Sequence, residues 1–273
     1  MRTEFAGFLA YLEFSQKRSQ RTKEIYSQIL NDFEEFLGGR ELSEENARSY
    51  LRSRAAVVQA STQSLSVSVL RSLNRWLRVE GFPSLWQLKS PRIVQKKIRV
   101  FAEEDLDLLL DVIAKKNLEE QILFHLLYGS ALRISEALML QSKDIDLKKS
   151  NARVLGKGSR WREVPLTQIC VELLKELKNK EGSWHANSIN YACARRWTGQ
   201  WGEEAGIQKK YGALHPHLLR HALASHLLRR GAKLPHIQKL LGHQRLATTE
   251  KYTHLELDDL IRAYDKAMPK KST

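Results

Sequence analysis

Ala152-Arg-Val-Leu155-Gly156-Lys157-Gly158-Ser-Arg-Trp161-Arg-Glu-Val-Pro-Leu166 decides the fold class. Elsewhere apolar residues recur at helical spacing, but between Ile145 and Leu166 the period changes. Two short runs enriched in β-formers flank a glycine-rich turn, the pattern of a β-hairpin. Working outward, helical periods cover 103–113, 119–128 and 133–140 on the upstream side. Downstream they resume from Val171 and continue to the C-terminus. Residues 100–273 therefore read as one mainly α domain with a small β-hairpin or sheet.

Further upstream, 1–88 reads as a separate bundle of four or five short helices. Phe5, Phe8, Leu9 and Leu12 mark the first. Ser19 or Thr22 is a candidate cap for the second, whose stripe is Ile25, Ile29, Phe33, Phe36 and Leu37, stopped by Gly38-Gly39. Ser43 with Asn46 opens a shorter helix through Leu51. A last pattern runs from about Thr62 through Leu65, Val69, Leu73, Trp76 and Leu77 to Gly81-Phe-Pro83. Between the two domains, 89–99 carries a proline and five cations without a periodic apolar face, the composition of a solvated basic linker that could lie along a nucleic acid backbone.

The chain has 273 residues, enough for a proper core, and a formal net charge of +14. Residues 1–90 hold 13 basic and 10 acidic side chains, and 91–273 hold 32 and 21, so the excess sits in the second domain. Such a balance favours a polyanionic partner. No apolar run reaches membrane-spanning length, and Met1-Arg-Thr-Glu-Phe leads straight into an amphipathic pattern unlike a signal peptide. Cys170 and Cys193 are isolated thiols, which suits a reducing compartment and leads us to expect a cytoplasmic protein.

Chemistry concentrates in the second domain. His217-Leu-Leu-Arg220-His221 is followed by Leu241-Gly242-His243 and then Tyr252. A tyrosine has a reference pKa of about 10, so its ionisation at neutral pH costs about 4 kcal/mol. Surrounding cations would offset that cost and bind the non-bridging oxygens of a phosphodiester. His217 and Arg220, three apart at a helix start, share a face. Arg133, in Gly129-Ser-Ala-Leu-Arg133-Ile-Ser-Glu136, begins a helix where amides and a guanidinium can meet one anion, or where Arg133 simply bridges to Glu136. Lys157 at the hairpin tip is either an ordinary exposed cation or a proton donor to a leaving oxygen. Zinc on His215, His217, His221 and His226 is disfavoured, because 214–230 contains no acid or cysteine and its arginines repel a dication. His221 and His226 read better as packing or capping residues, and no metal or cofactor is expected.

The ordered set Arg133, Lys157, His217 with Arg220, His243 and Tyr252 resembles that of the tyrosine recombinases, the phage-integrase family, and in particular the bacterial Xer recombinases. The neighbouring words agree: Gly-Lys157-Gly, Val164-Pro-Leu, His221-Ala-Leu-Ala-Ser-His, and Thr249-Glu-Lys-Tyr252-Thr-His254. The likeness covers essentially the whole chain, departing only at 181–201, which is shorter than in Xer proteins. It implies a helical N-terminal core-binding domain and a catalytic domain that together clamp duplex DNA. It implies that Tyr252 forms a 3′-phosphotyrosyl bond and frees a 5′-hydroxyl, without ATP or a divalent metal. Arg133 and Arg220 would hold the phosphate, Lys157 would protonate the leaving oxygen, His217 would serve in acid–base transfer, and His243 would hydrogen-bond the phosphate. It further implies a homo- or heterotetramer with a paralogous recombinase, each tail of about 255–273 docking on a neighbour. The implied role is chromosome dimer resolution at a dif-like site, coupled to a division-linked DNA translocase.

Other readings share part of this pattern. An integrase or resolvase of a plasmid or mobile element would use the same residues. A type IB-like topoisomerase would keep the chemistry without site choice, a DNA-binding protein on the same fold would have no use for Tyr252, and a metal-dependent nuclease would need the histidine cluster.

Overall fold

A computed structural model describes residues 2–16, 20–82, 86–91, 101–156, 161–181, 184 and 189–242. The chain divides into two compact units, Met1–Lys97 and Ile98–Thr273.

The first unit holds α1 (Thr3–Phe14), α2 (Gln20–Leu37), α3 (Glu44–Ala55) and α4 (Ala60–Val79). Phe5, Phe8 and Leu12 form the buried stripe of α1, as their spacing predicts. Phe5 stacks on Phe33 and Phe8 tilts against Trp76. Gly7 makes that approach possible: a Cβ there would stand 2.9 Å from Trp76 Cη2. Gly38 and Gly39, at φ 51° and 88°, end α2 in a conformation that costs a side chain. Ser43 caps α3 by accepting from the Asn46 amide at 3.2 Å, and Glu44 and Glu45 favour the positive end of the helix. Trp86 and Leu88 close this core, and Arg71 holds the Leu88 carbonyl through Nε at 2.8 Å. Two expectations shift. Helix α4 starts at Ala60, before Thr62, and Leu65 is 40% exposed and off the buried stripe. Thr22, one of the two expected caps of α2, lies inside that helix, while the other, Ser19, the stop at Pro83 and linker residues 92–99 lie outside the described residues.

The second unit begins with α5 (Glu103–Ile113) and α6 (Leu118–Phe124). Asn117 caps α6 by accepting from the Glu120 amide at 2.9 Å. The helix then widens into a π-helical stretch, His125–Gly129, every residue of which is buried. Helix α7 (Ile134–Met139) and a 3₁₀ turn at Ser142–Asp144 lead into the sheet. The expected hairpin is β2 (Asn151–Leu155) and β3 (Trp161–Pro165), and β1 (Ile145–Asp146) adds a short third strand, antiparallel throughout. Val154 faces Arg162 and Ala152 faces Val164 across the ladder. Then come α8 (Gln168–Glu181), α9 (Tyr191–Glu204), α10 (Gln208–Tyr211), α11 (Pro216–Arg229) and α12 (Leu234–Leu241).

Helix α11 lies against the π-helical stretch. His226, expected to pack, does so: its ring is within 2.9 Å of the Tyr128 hydroxyl and 2.8 Å of the Phe101 carbonyl oxygen. Leu219, Ala222, Leu223 and Leu227 fill the same seam. At about 1.5–3 kcal/mol for each large apolar side chain, the seam holds α11 fixed against the loop before α7. That fixed packing positions the site.

Candidate active site

The loop leaving the π-helical stretch turns sharply at Ala131, which adopts φ 52°, a left-handed conformation that costs a non-glycine residue about 1–2 kcal/mol. The turn places Arg133 at the N-cap of α7, three residues before Glu136. The Glu136 carboxylate accepts from the Arg133 amide at 2.8 Å and from Arg133 Nη1 at 2.7 Å. The plain bridge to Glu136 is thus present, and it leaves Arg133 within a wider arginine cluster.

Arg220 reaches the same spot from α11. Proline at the start of α11 suits a position whose amide needs no partner, and His215 caps the helix by accepting the Leu218 amide at Nδ1, 3.2 Å away. Burial, then His217, Arg195 and His221, lower the His215 pKa, which keeps that nitrogen free to accept. One turn on, Arg220 is only 5% exposed, and its guanidinium donates to the carbonyls of Ala131 and Leu241. Arg133 Nη2 donates to the same Leu241 carbonyl at 3.4 Å. Two guanidiniums distant in sequence thus converge on the last residue of α12, next to Gly242. Gly242 ends that helix at φ 59°, as its sequence position predicts.

Burial and Arg133 pull the Arg220 pKa down to about 10, with Glu136 acting the other way, so it stays charged at neutral pH. His217 is exposed on the first turn of α11. Burial of part of its ring, followed by His221, Arg220 and Arg133, lowers its pKa below 6.5. It is therefore neutral at pH 7 and able to take a proton.

The sequence reading does not single out Arg162. This side chain crosses from β3 and grips Glu136 with a fork, Nη1 to Oε1 and Nη2 to Oε2, each 2.8 Å. The signal was the alternation itself. Period two puts Arg162 on the face of buried Val164, opposite buried Val154, so an inward arginine needed an inward acid. Glu136 is that acid, 5% exposed. Its burial raises the carboxyl pKa, but the Arg162 fork, the Arg133 amide and the two guanidinium charges outweigh this and hold it at about 2. Lys157, His243 and Tyr252 lie outside the described residues. His221, expected to pack or cap, does neither: it is exposed in the middle of α11. Among the described residues no group of three or more His, Cys, Asp or Glu is placed to hold a metal. No helix among them is long and apolar enough to cross a membrane.

Clustered guanidiniums beside a neutral imidazole, on a mainly helical domain with one small sheet, make a site suited to phosphate ester chemistry. Comparison with known proteins specifies the class. Residues 99–258 match the phage integrase family, and residues 5–81 match the phage integrase N-terminal SAM-like domain. Tyrosine recombinase XerC of Staphylococcus haemolyticus is 31% identical over 96% of this chain and 96% of its own length. XerC of Proteus mirabilis is 29% identical over 97% and 93%. Among solved structures, XerH recombinase bound to difH substrate superposes with a TM-score of 0.68 at 18% identity, over 95% of this chain and 81% of that one. The Tn1549 transposon integrase in complex with transposon right end DNA gives 0.70 at 14%, over 98% and 99%. The chain belongs to the phage integrase family. It is a tyrosine site-specific recombinase, an enzyme of DNA strand exchange.

Proposed function

We propose that this recombinase uses Tyr252 as its nucleophile and acts in the Xer manner on a dif-like duplex site, resolving chromosome dimers in the cytoplasm. The observation that supports the reading most is the meeting of Arg133 and Arg220 at the Leu241 carbonyl, two residues before His243, with His217 on the same turn of α11 as Arg220. The extended identity to XerC proteins supports the Xer role.

In this mechanism Tyr252 Oη attacks the scissile phosphorus and its proton passes toward neutral His217. The new bond is a 3′-phosphotyrosyl ester, and the bond to the 5′-oxygen breaks. Lys157 gives the leaving oxygen its proton, so a 5′-hydroxyl departs. Negative charge grows on the non-bridging oxygens along the way. Three guanidiniums against one carboxylate leave a net positive centre, which stabilises that state more than the ground state. His243 adds a hydrogen bond to the same phosphate. The ester conserves the energy of the diester, and a 5′-hydroxyl from a second duplex reverses the step without ATP or a metal. Strand exchange between two sites calls for a tetramer, of this chain alone or with a paralogous recombinase, and dimer resolution would couple it to a division-linked DNA translocase.

The test is a nicked suicide substrate that traps the covalent intermediate. Tyr252→Phe should abolish the adduct while DNA binding survives, and adducts that persisted would assign the nucleophile elsewhere. The protein should also protect an imperfect palindrome from nuclease. Relaxation of plasmids without any recombination site by the monomer would instead support the topoisomerase reading.

A further inference from the structure

Arg162 donates to both oxygens of Glu136, but it does not share the Leu241 carbonyl on which Arg133 and Arg220 meet. We infer that Arg162 is a positioning residue that saturates the Glu136 carboxylate and so keeps the Arg133 and Arg220 guanidiniums available to the scissile phosphate. The inference rests on the proposal that these two arginines clamp that phosphate.

The distances carry the argument. Arg220 Nη1 stands 3.8 Å from Glu136 Oε2, one short movement from a direct bond. What occupies that oxygen is Arg162 Nη2 at 2.8 Å, together with the Arg133 amide at 2.8 Å. A buried carboxylate that loses its bidentate partner will take the nearest cation, because an unpaired charge in that setting is costly. Arg220 is the nearest one not yet bonded to it, and Arg133 already touches Oε1. Removing Arg162 would therefore turn the clamp inward. Only an arginine satisfies the geometry, since a lysine ammonium cannot present two parallel donors to the two oxygens. The side chain is also wedged under the end of α12: a Cβ on Gly242 would lie 3.1 Å from Arg162 Nε. It thus meets the backbone from which both Arg133 and Arg220 take an acceptor.

The test compares cleavage of a nicked suicide substrate bearing either a normal phosphodiester or a methylphosphonate at the scissile position. The methylphosphonate is uncharged and asks less of the arginine clamp. Arg162→Met should slow phosphodiester cleavage by about tenfold to a hundredfold, by analogy with loss of the hydrogen-bond partner behind a metal ligand. On the methylphosphonate the loss should shrink to a few fold, with affinity for uncut duplex unchanged. Arg162→Lys should fall between, and it carries the test alone if the methionine variant does not fold. An equal loss on both substrates, or no loss on either, overturns the inference. Arg133→Ala and Arg220→Ala are run beside it. If they too fail to recover on the methylphosphonate, the clamp reading fails and the inference falls with it; if they recover and Arg162→Met does not, the inference alone is wrong.

Discussion

Replacing Glu136 by glutamine keeps the shape of the side chain and deletes one charge from a buried centre. The structure sets the size of the effect. The carboxyl sits at about 2 in the folded chain against an ordinary value of 4.5. At about 1.4 kcal/mol per pKa unit, the ionised carboxylate therefore contributes about 3 kcal/mol to the stability of its unit at neutral pH. Because the folded value is depressed, this contribution is complete above 4.5 and is lost as pH falls from 4.5 towards 2. At pH 3.5 about 2 kcal/mol remains.

Glutamine mimics the protonated acid, so the gap between the native chain and Glu136→Gln should be about 3 kcal/mol at pH 7. It should contract by about 1 kcal/mol at pH 3.5. That loss lies at the lower end of the range of about 3–5 kcal/mol for a broken buried pair, and it already contains the attraction of the guanidiniums that lose their counter-charge. Hydrogen exchange of the buried amides of α6 and α11, followed against urea, reads this unit separately from the N-terminal bundle. A gap below about 1 kcal/mol at pH 7, or one that does not change with pH, would refute the claim that the arginines hold the carboxylate ionised.

Arg220→Lys, conservative in charge, should cut the rate of adduct formation by about a hundredfold or more in single-turnover assays, since one ammonium cannot serve the Ala131 and Leu241 carbonyls and a phosphate together. Cleavage should be flat above pH 6.5 and decline as pH drops through the lowered His217 value, because protonation removes the proton acceptor; His217→Asn should lose that limb of the profile. Lys157→Ala should slow cleavage of a normal substrate but be rescued by a 5′-phosphorothiolate, whose sulfur leaves unprotonated. Gly242→Ala forces a side chain into a left-handed position and against Arg162, which should lower the melting temperature by several degrees and slow adduct formation.

Much of the fold is legible because its signals are local. Glycines stop α2 and α12, Ser43 caps α3, and the change of period marks the hairpin. Leu65 shows where counting fails. A chain of four-residue steps from Leu77 back to Leu65 drifts by about 40° per step around a helix of 3.6 residues per turn, and after three steps it has left the buried face. Arg133, His217 and Arg220 are legible as a set because their residue types and order restrict the chemistry. Arg162 is not, because an arginine near a hairpin tip is usually a solvated charge. Only the alternation of β3, taken together with the acid on α7, would have turned it inward. The depth of Glu136 is hidden for the same reason: burial of an acid depends on cations brought from β3 and α11, which no local pattern announces.

The Leu241 carbonyl explains why these arginines can be rigid and still available. An arginine free in solvent loses much side-chain entropy when it grips a phosphate. Here that ordering is complete before the phosphate arrives, since Arg220 is fixed by two backbone carbonyls and Arg133 by a carboxylate and one of the same carbonyls. One of those acceptors, on Ala131, exists only through a left-handed residue, so backbone strain pays for preorganisation. The other acceptor closes α12 one residue before Gly242. A displacement of that helix end would alter both guanidiniums together, and the chain leading to His243 and Tyr252 starts there. Under the proposed roles, the segment carrying Tyr252 continues in sequence from the helix end on which the two phosphate-binding guanidiniums meet. A change that loosens α12 without touching any arginine, such as Leu240→Ala, should then cost cleavage rate more than it costs DNA affinity.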